Sequence, residues 1–169
     1  MGFSGKFKGI TDAKVFKGGQ YFKEGLYKVK ILAVKWVESA RDKSEYFVIE
    51  TEVLESSNPE IAVGSERSQV IDYGQTMGLP NIKAFVAAAS GIDPYASDNL
   101  NDEVVDFWSK LTGQHIDFED IVEMLIKENP LEGEVMDLEC TEIITKEKKQ
   151  PFTKHSWFAR DTSNDEVVT

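Results

Sequence analysis

A mainly β domain interrupted by a helical block is the fold class that this sequence predicts. Three observations lead there: apolar residues alternate with period two in three N-terminal stretches, the period lengthens to 3.6 over about residues 79–129, and period two then returns twice. At 169 residues with 41% hydrophobic content, the chain can bury one sizeable core. Neither an internal repeat nor a domain linker interrupts it. Residues 1–160 therefore read as a single domain with an N-terminal arm at 1–24, and 161–169 as a short polar tail.

The arm is punctuated by Gly2, Gly5, Gly9, Gly18 and Gly19, which resist a helix, and it mixes Phe3, Phe7, Phe16, Tyr21 and Phe22 with Lys6, Lys8, Lys14, Lys17 and Lys23. Tyr27 to Val37 predicts the first strand, with Val29, Ile31 and Ala33 on one face and Lys28, Lys30, Leu32, Val34 and Trp36 on the other. A polar loop follows to Ser44. Glu45 to Leu54 predicts the second strand, with Phe47, Ile49 and Val53 opposed to Tyr46, Val48, Glu50 and Glu52. After the turn cluster Ser56-Ser57-Asn58-Pro59, a third strand covers about Glu66 to Tyr73.

The helical block opens after Pro80 and Asn81, where Ile82, Phe85, Val86 and Ala89 fall on one helix face and Gly91 supplies the stop. Asn101 is the expected cap of a second helix carrying Val104, Phe107, Trp108 and Leu111, which Gly113 ends. Asp117 to Glu128 predicts a third, with Ile121, Val122, Leu125 and Ile126, stopped by Asn129-Pro130. From Gly133 to Ile144, Met136, Leu138 and Cys140 alternate with Val135, Asp137 and Glu139. A basic hairpin loop, Lys146 to Pro151, leads to a last strand at Phe152 to Arg160. In it Phe152, Lys154, Ser156 and Phe158 oppose Thr153, His155 and Trp157.

Catalytic chemistry finds little support. His115 and His155 stand outside any H-x-x-x-H context, and a single cysteine offers no zinc spacing. The Asp117-Phe118-Glu119-Asp120 carboxylates suit a helix N-terminus. Cys140 reads as a small buried hydrophobe. No catalytic residue, metal or cofactor is expected. One cysteine, no signal-type apolar region and no apolar run approaching 18 residues suggest a soluble cytoplasmic protein without membrane contact.

Charge is sorted along the chain. The formal total is −11, yet residues 1–50 carry ten Lys/Arg against six Asp/Glu, residues 51–145 four against twenty, and residues 146–160 five against one. Both basic segments are rich in aromatics. Three strands, a helical connection and two more strands is the chain order of an OB-fold, a five-stranded Greek-key barrel whose strand faces and hairpin loops bind single strands. In that order the first loop holds Arg41 and Lys43, and the last Lys146, Lys148 and Lys149. Arg41 and these lysines, with Lys28, Lys30, Lys154 and the lysines of the N-terminal arm, are the expected phosphate contacts. Trp36, Tyr46, Tyr73 and Trp157 are the expected stacking platforms.

With Tyr27-Lys28-Val29-Lys30-Ile31, Tyr46-Phe47-Val48-Ile49-Glu50, the segment Ala84 to Gly91 and the closing Gly133-Glu134-Val135…Phe152-Thr153-Lys154 hairpin, the chain resembles bacteriophage single-stranded DNA-binding proteins of the OB type. The likeness spans roughly residues 20–160. It implies a non-catalytic, sequence-tolerant binder of single-stranded DNA, or RNA, serving phage replication or recombination. Many such proteins end in an acidic tail with an aromatic tip; Asp161 to Thr169 departs from that pattern. The acidic helical block would repel DNA or dock replication and recombination proteins. An alternative function is an OB-scaffold interaction module that binds a replisome or host protein.

Overall fold

A computed structural model describes residues 21–144 and 152–165. Its elements are β1 (Gly25–Glu38), β2 (Glu45–Ser56), β3 (Glu66–Asp72), α1 (Gly78–Ala89), α2 (Leu100–Thr112), α3 (Phe118–Lys127), β4 (Val135–Ile143) and β5 (Phe152–Trp157). The strands form one antiparallel sheet in the order β3-β2-β1-β4-β5, and the three helices lie between β3 and β4 in the chain. The protein is thus mainly β with a helical block. Among the described residues no ladder closes the sheet, so β3 and β5 are its two edges.

β1 is long and rich in β-branched residues, and it serves two partners: residues 27–38 pair with β2, and residues 25–30 with β4. Register shifts fall between Lys28 and Val29 and between Ile31 and Ala33. The second shift changes which residues face inward. Val29 and Ile31 are buried as period two requires, but the next core residue is Val34 and not Ala33. The expected two-faced alternation of β1 therefore breaks at the bulge. Chain leading into β4 fastens to that point, with Gly133 N donating to Ile31 O at 2.8 Å and Ile31 N to Glu134 O at 2.8 Å.

Phe47, Ile49 and Val53 of β2 and Met136, Leu138 and Cys140 of β4 meet Ile82, Phe85 and Val86 of α1 in the core. Val104 and Trp108 of α2 and Ile121 and Leu125 of α3 extend it. Each large side chain fully buried this way contributes about 1.5–3 kcal/mol. α1 starts two residues before Pro80, which sits in the first turn, where its missing N–H costs nothing. Gly78 is required by close approach, since a Cβ there would lie 2.2 Å from the Asp72 carbonyl oxygen. The expected cap of α2 needs correction: Asn99 holds that position and Asn101 lies inside the first turn. Ser90, after α1, joins the helices by accepting Trp108 Nε1–H at 2.8 Å.

Beyond β5 the chain does not trail away. Arg160 is buried; its Nε donates to Ala89 O at 2.7 Å, and its two terminal nitrogens bond the Asp165 carboxylate at 3.1 and 2.9 Å. A cation against the C-terminal carbonyls of α1 is favourable for the helix dipole as well. The first residues of the polar tail are thereby fastened to the body.

Candidate nucleic-acid interface

Three lysines of β1, the candidates Lys28 and Lys30 and also Lys35, face carboxylates on β2. Lys28 Nζ lies 3.6 Å from Glu55, Lys30 3.5 Å from Glu52 and Lys35 3.0 Å from Glu50. Cross-strand pairing sets this ladder, because directly opposed and diagonal residues share a face. Lys28 and Lys30, expected as phosphate contacts, are compensated where they stand. Pairs of this kind are worth only about 0–1 kcal/mol each, so the lysines are held loosely, and it is the adjoining Glu50, Glu52 and Glu55 carboxylates that disfavour a polyanion there.

Residues 39–44 make a tight loop closed by Ser39 N to Ser44 O at 2.8 Å and Lys43 N to Ser39 O at 2.9 Å. Lys43 takes a left-handed φ of 60° at its tip. Arg41 and Lys43 are both exposed, with Asp42 between them. Hydrogen bonds from Ser44 and Ser39 hold the Asp42 carboxyl below its ordinary value, which keeps it anionic beside the two cations.

The four candidate rings do not form one platform. Trp36 and Tyr73 meet edge to face, with centroids 5.1 Å apart. Tyr73 is 45% exposed, while Trp36 packs in part against the core. Tyr46 lies on the opposite face with Val37, Val48 and Val70. Trp157 corrects the expectation outright: only 3% exposed, it packs edge-on against Phe85 and donates its Nε1–H to Gln69 at 2.7 Å. Its role is to stitch β5 to β3 inside the protein, and no base can reach it. Lys146, Lys148 and Lys149 lie outside the described residues, as does the arm up to residue 20.

One exposed strip was not picked out from the sequence. Phe152 and Lys154 project from the same side of β5, and Phe158 follows just past its end, all three exposed. The signal was present, since the alternation put these residues on one face, but inward-facing Trp157 looked the stronger ring.

Exposed Asp137 and Glu139 of β4 stand opposite Phe158 and Ser156 on the same sheet face, so the strip carries two carboxylates beside Lys154; Cys140 and His115 lie apart from it. Burial pushes the Cys140 thiol up to about 12, which makes it an unreactive core residue. His115 is exposed and bonds Asp117 at 2.8 Å. Among the described residues no group of three His, Cys, Asp or Glu side chains could hold a metal ion. No described helix is long and apolar enough to cross a membrane. No protein-family model matches the chain, and no curated protein matches it either.

Proposed function

We propose that this protein is a non-catalytic, sequence-tolerant single-stranded DNA-binding protein on an OB-like scaffold. Three features support the scaffold. The strand order β3-β2-β1-β4-β5 becomes a five-stranded Greek-key barrel if its edges meet, the Gln69–Trp157 bond already links those edges, and the helical block occupies the connection between β3 and β4.

The observation that carries the function is the outward strip on β5, where the exposed rings of Phe152 and Phe158 flank exposed Lys154. Successive bases stack on such rings for about 1–3 kcal/mol each, and the cation follows the phosphates between them. Arg41 and Lys43 add an exposed cationic loop, and the Trp36–Tyr73 pair adds a further ring. The acidic helical block, by repelling the strand, confines binding to this side. In the setting that the phage resemblance implies, the protein would coat single strands during replication or recombination in the host cytoplasm.

Titration with oligo-dT tests the proposal. Trp108 and Trp157 are buried, so quenching of indole emission would report on Trp36 and should reverse as salt rises. Absence of both a quench and a mobility shift at low salt would refute DNA binding.

A further inference from the structure

The two sheet edges face one another across a groove of about 740 Å³, bounded by β3, β5 and the start of α1. We propose that this groove docks an extended peptide of a partner protein, seated by strand addition on the outward backbone groups of β3.

Hydrogen-bond alternation identifies those groups. Tyr73 N donates to Glu45 O at 2.9 Å, which makes 73/45 a hydrogen-bonded pair. Counting back through the register, Ile71 and Gln69 face β2, while Ser68, Val70 and Asp72 turn toward the free edge. On the other bank Phe158 N donates to Asp137 O at 3.0 Å, so Thr153, His155 and Trp157 turn outward from β4. Val70, Asp72, Thr153 and His155 all line the groove. Among the described residues Val70 and Asp72 have no ladder partner on this side, and such an edge is a template for another strand.

The chain itself supplies the precedent. Tyr21 makes an isolated parallel bridge to Ser68, the outward residue next before Val70, and Phe22 inserts beside it with its ring 5.9 Å from that of His155. One end of the seam thus already holds an added segment. Chemistry selects peptide over nucleic acid. The lining carries one acid, Asp72, against Lys154, and His155 is held neutral by burial, so no net charge attracts a polyanion. Exposed Met77 and Phe152 give the rim an apolar grip for alternate side chains.

The test pans a random heptapeptide display library against the full-length chain, then titrates synthetic copies of enriched peptides into ¹⁵N-labelled protein. Saturable amide shifts are expected at Val70, Asp72, Thr153 and His155. Methylating alternate peptide nitrogens should weaken binding at least tenfold in one of the two phases, because those N–H groups pair with β3. Val70→Pro, which removes an outward donor, should do the same; should it fail to fold, the methylated peptides still decide. Three results would overturn the proposal: no saturable peptide, binding indifferent to methylation in both phases, or the same amides responding to oligo-dT and not to peptide. Phe152 and Lys154 belong to both surfaces, so Phe158→Ala, outside the groove, separates them: it should weaken oligo-dT binding and leave peptide binding unchanged, and loss of both would overturn a distinct peptide site.

Discussion

Acid should weaken this fold through His155, by an amount that can be worked out in advance. The imidazole is nearly enclosed: Phe22 meets it edge-on, Cys140 stands opposite on β4, and its Nε2 has no hydrogen-bond partner. Burial lowers its pKa from 6.5 to about 4, a backbone hydrogen bond with Thr153 acting in the opposite direction. Between those values the unfolded chain binds a proton that the folded chain refuses. The stabilisation from this group is therefore complete above about pH 6.5, and falls as pH drops toward 4. At about 1.36 kcal/mol per tenfold change in proton affinity, the loss is about 1.4 kcal/mol at pH ~5.5 and about 2.6 kcal/mol at pH ~4.5. His155→Phe keeps an aromatic ring against Phe22 and removes the titration. Urea unfolding of both proteins, followed by tryptophan emission, isolates the effect as a difference, since carboxylate contributions cancel. The variant should gain on the wild type by those amounts on acidification. Parallel stability curves from pH ~7.5 to ~4.5 would show that the ring is not shielded from solvent.

Arg160→Ala should cost about 3–5 kcal/mol in urea unfolding, because it strands the Asp165 carboxylate and the Ala89 carbonyl; a loss below about 1 kcal/mol would mean that the tail does not brace α1. Phe152→Ala with Phe158→Ala should weaken oligo-dT binding by about 2–6 kcal/mol at two bases stacked, with the unfolding midpoint little changed, and unaltered affinity in a filter-binding titration would remove the β5 strip from the DNA path. Trp157→Phe should do the reverse, lowering stability by about 1–3 kcal/mol through the orphaned Gln69 amide while leaving DNA affinity intact. Neutralising the β2 ladder with Glu50→Gln, Glu52→Gln and Glu55→Gln should release three lysines and steepen the salt dependence of DNA binding by about two, at roughly 0.7 per added phosphate contact on a single strand. An unchanged slope would place the strand elsewhere on the surface.

Periodicity, with turn and cap residues, located the strands and helices of the described residues, because each buries an apolar face and so repeats its apolar residues at a fixed interval; β5, expected to reach Arg160, ends at Trp157. Phe47, Ile49 and Val53, or Met136, Leu138 and Cys140, are buried as their spacing demands. Where a strand is irregular, that logic fails. The register shift after Ile31 puts Val34 inside, and nothing in the local composition marks the extra residue. Capping was misplaced by two residues for a similar reason, since Asn99 and Asn101 are equivalent as side chains and the preceding loop decides between them. The site was less legible than the fold. Alternation separates two faces without saying which is wet, so Trp157 passed for an exposed ring and Phe158 for an unremarkable one. Ion pairing between β1 and β2 depends on register, which no count of lysines contains.

That last point bears on how a chain of net charge −11 could hold a polyanion at all. The sum of charge over residues 1–50 is positive, but three of its lysines spend their fields on Glu50, Glu52 and Glu55 across the strand pair. Cations that remain exposed on described residues near the rings are few: Arg41 and Lys43 on the first loop, and Lys154 on β5. A binding mode with so few phosphate contacts cannot draw its free energy chiefly from counterion release. Stacking must supply most of it, and the rings of Phe152, Phe158 and Tyr73 are placed where bases could reach them. Affinity should therefore fall only modestly between low and physiological salt, by a slope near two, if the described cations are the ones that act. A slope of five or more would assign the main contacts to the lysines of the first twenty residues and of the loop before β5, and would make the strip on β5 secondary.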